Sequence, residues 1–293
     1  MKPPKFEYHA PRSQAETVSL LARYGDDARI LAGGQSLVPM LNFRIIQPGA
    51  LISINHCPEL SFIRSEADHL QIGALVRQGE AEHSPDVKRD CPLLAAALPW
   101  VGAMSNRNRG TVCGSLAHAD PLAELTAVAV ALDATFVIAS AGSTREVPAS
   151  EFFIADLTTC MEPGELLESV KFPRCGQDSS AAFVEVGNRW HGFAVVGLAA
   201  HLEFGSDGSC QSARLAAIGV GSTPIRLTLA EESLRGVRWN NEVVRNAASL
   251  AAVNLDPPGG FHADAAYKLQ VVGTLVERAL NKAWQRRPEI KEA

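Results

Sequence analysis

The sequence has no apolar run of the ~20 residues that a bilayer-spanning helix needs, so a membrane span is not expected. Its start, Met1-Lys2-Pro3-Pro4-Lys5-Phe6, lacks the apolar core of a secretory signal. A cytoplasmic location is therefore expected. The six cysteines (Cys57, Cys91, Cys113, Cys160, Cys175, Cys210) include no Cys-x-x-Cys pair, and that spacing argues against a zinc or iron–sulfur site built by this chain alone. There is no excess of positive charge. The net charge of −5 and pI of about 5.9 speak against a broad nucleic-acid or anionic-membrane surface and leave room only for a local basic patch. Internal repeats and low-complexity stretches are absent as well. What remains is an ordinary folded composition, 46% hydrophobic and 20% charged over 293 residues, enough for one or two domains.

Ser13-x-x-Glu16 has the spacing of a capping box, in which each side chain satisfies a free backbone N–H at a helix start. Val18, Leu21 and Ala22 then form the expected apolar face, and Gly25 suits the C-terminal turn. Residues 28–32 read as a strand, 36–41 as a helix start, and 51–54 and 70–73 as strands. Apolar helices are expected over 93–101 and 122–132, and strands over 135–139 and 166–172. The polar stretch from Arg174 to Ser180 marks the expected domain boundary. Beyond it, 182–186, 193–204 and 213–219 read as strands of one antiparallel sheet with a turn at Gly205–Ser209, followed by helices near 229–234, 242–253 and 264–284. The last helix carries Leu269, Val272, Val276, Ala279 and Ala283 on one stripe, which reads as intramolecular packing.

Two glycine loops carry the chemistry. Ala32-Gly33-Gly34-Gln35-Ser36 lies between a strand and a helix. Two glycines allow a tight turn and a close approach of backbone N–H groups to an anion. Ser36 is placed to cap the helix and to offer a hydroxyl to a phosphate. Gly110-Thr111-Val112-Cys113-Gly114-Ser115 repeats the design, with glycines bracketing small hydroxyl residues ahead of a helix. A plain structural turn is the competing reading of either loop alone. Neither loop has the Gly-x-Gly-x-x-Gly of a Rossmann site or the Gly-Lys-Ser/Thr end of a P-loop. Together they suggest a dinucleotide gripped at its two phosphates by another fold.

The run Arg107-Asn108-Arg109-Gly110-Thr111-Val112-Cys113-Gly114-Ser115-Leu116-Ala117-His118-Ala119-Asp120-Pro121 resembles the second FAD loop of the medium subunits of molybdenum hydroxylases, the carbon monoxide dehydrogenase and xanthine dehydrogenase-like family. Ala32–Ser36 resembles their first FAD loop. Glu151-Phe152-Phe153, Leu157-Thr158-Thr159, Glu162–Glu165, Ser222–Arg226, Ala230-Glu231 and Tyr267-Lys268 extend the likeness over nearly the whole chain. The resemblance implies an α+β fold. Residues 1–177 would form a two-subdomain FAD-binding domain (vanillyl-alcohol-oxidase/PCMH-like), and 178–293 a three-stranded antiparallel sheet with a three-helix bundle.

It also implies FAD contacts from Ala32, Gly33, Gly34, Gln35, Ser36, Thr111, Gly114 and Ser115. Asp120 would bind sugar or ribityl hydroxyls, Phe193 would pack on the isoalloxazine, and Lys268 would reach a ring carbonyl. A large molybdenum-cofactor subunit and a small 2Fe-2S subunit are the implied partners, in a dimer of heterotrimers, with electrons passing from the clusters through FAD to an external acceptor. The alternative is a free-standing FAD-dependent oxidoreductase with its own substrate site, for which the C-terminal part looks small. A non-catalytic nucleotide-binding or assembly subunit is a third reading.

Two positions depart from the family pattern. Cys113 stands where glycine is usual and Ser115 where asparagine is usual, so a left-handed backbone at Cys113 would be strained. No contact carries over to Trp190-His191. Read without the family, Phe193 would be core, Lys268 a surface lysine, and Glu165 and Glu168 a solvated face. His118 is expected to make a loop hydrogen bond. Arg107 and Arg109 either face phosphate or a partner, or are solvated.

Overall fold

The computed structural model describes residues 2–189, 192–260 and 263–287; Trp190-His191 lies outside them. Among the described residues, no helix is long and apolar enough to cross a membrane. The fold is α+β and contains three principal sheets.

The first is a parallel sheet with Ala50–Ser53 in the centre, Glu7–His9 on one side and Ala28–Leu31 on the other. The helix Gln14–Tyr24 links the two outer strands. Ser13 starts it by accepting the Glu16 N–H at 3.1 Å. Only half of the expected capping box forms, because the Glu16 carboxylate takes the N–H of Arg12 at 2.9 Å. Gly25 ends the helix at φ 51°, a backbone that glycine adopts without steric cost. The buried face is Thr17, Val18 and Leu21. Ala22, expected on it, is exposed.

The second sheet is antiparallel, ordered Ile63–Ser65, His69–Gly73, Leu166–Pro173, Thr135–Ser140, Ser143–Pro148. A register shift between Leu167 and Ser169 bends its central strand. The third sheet has three long antiparallel strands, Ser179–Gly187, Ala194–Phe204 and Ser209–Ile218. Two-residue strands Ile225–Arg226 and Val237–Arg238 both attach to the last, so the expected three strands gain two short additions. The helices Thr228–Leu234, Asn241–Leu250 and Ala265–Gln285 complete this part.

Alternation along the third sheet feeds two cores. Ala182, Leu198, Ala200, Leu202 and Leu215 pack on the three helices. Ala181, Phe183, Ala199, Ala216 and Ile218 belong to the core of the N-terminal part. With both faces covered, the middle strand is apolar almost throughout. The helix Glu124–Ala131 lies against this sheet and is buried at all eight positions, which explains an apolar sequence with no polar stripe. The last helix buries a wider face than its expected stripe. It adds Lys268, Val271, Leu275 and Leu280, while Leu269 is only half-buried.

Candidate functional site

The first loop leaves the C-terminal end of Ala28–Leu31 and enters the short helix Leu37–Asn42. Gly34 has φ 72°, a left-handed backbone that glycine adopts without steric cost. Among the described residues, the N–H groups of Gly33, Gly34, Gln35 and Ser36 donate to nothing within the protein. The Ser36 hydroxyl is also unbonded. It stands at the N-cap position without capping, contrary to the expected role, because its backbone is already helical at φ −98°, ψ −47°. Gln35 folds back, its amide donating to the Gly33 carbonyl at 3.2 Å.

The second loop leads into the helix Val112–His118, which Thr111 does cap, its Oγ1 accepting the Gly114 N–H at 2.9 Å. The N–H of Ser115 goes to the Thr111 carbonyl at 3.2 Å. The backbone donors of Gly114 and Ser115 are therefore spent on the turn. The Thr111 N–H and the Ser115 hydroxyl remain free among the described residues. Cys113 lies inside this helix with an ordinary negative φ, so the strain considered for a left-handed angle does not arise. Its thiol points into the core toward the Ile72 carbonyl at 3.5 Å, and burial pushes its pKa up to about 12.

The two loops touch. A Cβ added to Gly33 would stand 2.4 Å from the Arg109 carbonyl oxygen and 2.7 Å from the Gly110 Cα. Only glycine permits that approach. A loop with four unspent N–H donors thus packs directly on the backbone of the second glycine loop, which places two candidate anion-binding segments side by side.

Asp120 closes the second segment. Ala119 turns left-handed (φ 51°, ψ 38°), and Asp120, restricted by Pro121, leads the chain away from the helix. Its Oδ1 accepts the Leu122 N–H at 2.9 Å, leaving Oδ2 for another donor. Phe193 is 77% exposed, which overturns the core reading. It precedes Ala194–Phe204, whose start adjoins Gly219, and the Gly219 N–H donates to the Pro121 carbonyl. Phe193 and Asp120 therefore sit on neighbouring segments. Lys268 is not brought to the loops. It is buried, which corrects the surface reading, and its Nζ donates to the Pro258 carbonyl at 2.9 Å.

Other expectations change too. Arg107 is neither solvated nor aimed at phosphate. Its guanidinium is buried on Glu82 at 2.7 Å and on the carbonyls of Val101 and Gly102. Arg109 is exposed. His118 makes no side-chain hydrogen bond among the described residues. Glu165 is held by Arg145 at 2.7 Å instead of being solvated, and half-buried Glu168 accepts from Gln14. Sequence reasoning missed Asn55, Arg77 and Gln78. The Gln78 N–H binds the Gly110 carbonyl at 2.9 Å, and its side chain reaches the Thr111 carbonyl. Arg77 pairs across from Thr111 as an isolated β-bridge. None of the three lies in a recognisable motif.

Residues 4–175 match the family described as the FAD binding domain in molybdopterin dehydrogenase, and residues 181–283 the CO dehydrogenase flavoprotein C-terminal domain. The chain belongs to the FAD-binding medium subunits of molybdenum hydroxylases. It is 40% identical over 293 residues to the 6-hydroxypseudooxynicotine dehydrogenase complex subunit alpha of Paenarthrobacter nicotinovorans, covering 100% of this chain and 99% of that one. Among solved structures, carbon monoxide dehydrogenase from Hydrogenophaga pseudoflava, lacking the Mo-pyranopterin moiety, superposes with TM-score 0.94 at 38% identity, covering 98% of this chain and 100% of that one. Quinoline 2-oxidoreductase from Pseudomonas putida 86 gives 0.92 at 36%, covering 97% and 99%. As a medium subunit, the chain is the FAD-binding flavoprotein component of an oxidoreductase.

Proposed function

We propose that this medium subunit relays electrons inside a molybdenum hydroxylase, receiving them from 2Fe-2S clusters in a small partner and passing them to an external acceptor. A large partner carrying the molybdenum cofactor oxidises the substrate. The assembly is a cytoplasmic dimer of heterotrimers. The observation that carries this reading is the contact of Gly33 with Arg109-Gly110, which joins a loop with four unspent N–H groups to the second glycine loop.

FAD, once bound, supplies the redox chemistry. The chain's residues hold and orient it. Ala32, Gly33, Gly34, Gln35 and Ser36 offer backbone donors and a hydroxyl to the pyrophosphate from one side. Thr111, Gly114 and Ser115 border it from the other, where glycine at 114 leaves room and the Ser115 hydroxyl donates. The free oxygen of Asp120 accepts from a sugar or ribityl hydroxyl. Exposed Phe193 offers an aromatic face to the ring. Lys268 acts there only by releasing Pro258. We place the boundary between the FAD-binding domain (1–177) and the C-terminal domain (178–293) just before the strand Ser179–Gly187.

The relay role is tested with Gly34→Asp and Gly114→Asp in the native assembly. Gly34→Asp forces a charged side chain onto a left-handed backbone in the first loop, Gly114→Asp drives its Cβ to 2.6 Å from the capping Thr111 Oγ1 in the second, and Thr111→Trp adds bulk there without charge. The expected result is an assembly without flavin whose clusters are still reduced by substrate but no longer deliver electrons to the physiological acceptor. Unchanged delivery, or loss of substrate-driven cluster reduction with the fold intact, would contradict the relay.

A further inference from the structure

Between the two loops stands a side-chain bridge. The Arg77 guanidinium spans it, one Nη donating to the Arg109 carbonyl at 2.7 Å and the other to Asn55 Oδ1 at 2.6 Å. Asn55 in turn donates its amide to the Ala32 carbonyl at 2.9 Å and the Leu31 carbonyl at 3.2 Å. One end of the bridge thus grips the residue before the first glycine pair, and the other grips the residue before Gly110. Main-chain pairing of Arg77 with Thr111, flanked by Val112 N–H to Val76 O and Gln78 N–H to Gly110 O, fixes its root on the second loop. Arg77 forms no salt bridge with any carboxylate among the described residues, and burial followed by the charge of Arg109 lowers its pKa. The charge of Glu80 acts on Arg77 only at a distance, so the guanidinium fork itself is spent on a carbonyl and an amide, one on each side of the bridge.

We propose that Arg77, acting through Asn55, is a positioning residue that clamps the two FAD loops together and thereby controls how long the dinucleotide is retained. The proposal rests on the assignment of these loops to the pyrophosphate. Arg77 fixes the separation of the loops through the Arg109 carbonyl, and Asn55 carries that constraint to the carbonyls of Leu31 and Ala32. Lysine at 77 would keep the charge but could not hold two acceptors in a planar fork.

The test compares wild type, R77K, N55A and the R77K/N55A double variant as full chains, reading FAD release by the fluorescence of free flavin. Each single variant is expected to release FAD roughly ten- to a hundredfold faster, the range for losing a hydrogen bond to a charged group. The double variant should be no faster than the faster single, because both changes cut one bridge. The absorption spectrum and reduction potential of the bound flavin should stay at their wild-type values, and the thermal midpoint of the FAD-free chains should not move. Asn55 is exposed, so N55A decides the matter even if R77K fails to fold. Wild-type release from N55A, multiplied effects in the double variant, or an unfolding midpoint that falls with the release rate would each overturn the clamp. Gly33→Ala separates the two claims. If it also leaves FAD bound, the loop assignment fails; if it empties the site while the bridge variants do not, only the clamp fails.

Discussion

Replacing Gly33 with alanine adds one methyl group and no charge, at the point where the two loops meet. The new Cβ would lie 2.4 Å from the Arg109 oxygen and 2.7 Å from the Gly110 Cα, against an ordinary contact of 3.4 Å or more. Both obstacles are backbone, so the loops must part by roughly 1 Å, the difference between those distances. A shift of that size takes at least two N–H groups out of hydrogen-bond range of a pyrophosphate. Two charge-assisted bonds at about 1.5–3 kcal/mol each correspond to a loss of roughly a hundred- to ten-thousandfold in FAD affinity. Gly34→Ala is the internal control. Its Cβ would meet only the flexible ends of Leu31 and Val38 at 3.1 Å, and its main cost is the left-handed backbone, about 1 kcal/mol. Titrating FAD into the FAD-free variants, followed by flavin fluorescence, should rank wild type first, Gly34→Ala slightly weaker and Gly33→Ala far weaker. Equal affinity for Gly33→Ala and wild type would refute the convergence of the loops on the phosphates.

Flavin should be held without a covalent bond. The only thiol in the second loop is Cys113, which is buried and protonated, so acid precipitation should leave all yellow colour in the supernatant and colour in the pellet would contradict this. Glu124 is buried at the start of its helix, and burial, reinforced by the charges of Glu185 and Asp120, pushes its pKa up to about 8. A carboxyl with a raised folded pKa stabilises fully below its unfolded value and loses that contribution as pH rises through about 8. Glu124→Gln should therefore match wild type near pH 5 and exceed it near pH 8, by on the order of 3 kcal/mol in denaturant unfolding; parallel pH profiles would exclude the mechanism. Removing Glu82 strands the buried Arg107 guanidinium, so Glu82→Ala should cost about 3 kcal/mol in the same assay, and a loss below about 1 kcal/mol would mean that water replaces the carboxylate.

The loops were legible because their signal is local: glycines and small hydroxyls at strand–helix junctions. Their contact was not, because nothing in the neighbourhood of Gly33 announces that Arg109-Gly110 will pack on it. Asn55 and Arg77 escaped for the same reason, being single polar residues whose partners lie far along the chain. The strand Glu7–His9 is three residues long and mostly exposed, so it carries no apolar alternation. Ser143–Pro148 is an edge strand with five of six residues exposed, although Gly142 at φ 90° marks the hairpin turn before it. Helix 124–131 and the middle strand of the third sheet were readable because burial on all sides leaves a nearly continuous apolar sequence. The surface reading of Lys268 failed because its partner is a backbone carbonyl, which no side-chain pattern reveals.

In the proposed relay the chain carries electrons within a larger enzyme. Gentle purification from the native host, with metals, subunits and flavin measured on the same fractions, tests it most directly. Molybdenum, iron and two further polypeptides should co-elute with the chain, and substrate should bleach the flavin only when all three polypeptides are present. A metal-free homo-oligomer whose flavin is reduced directly by an organic substrate would contradict the account and establish a free-standing oxidoreductase.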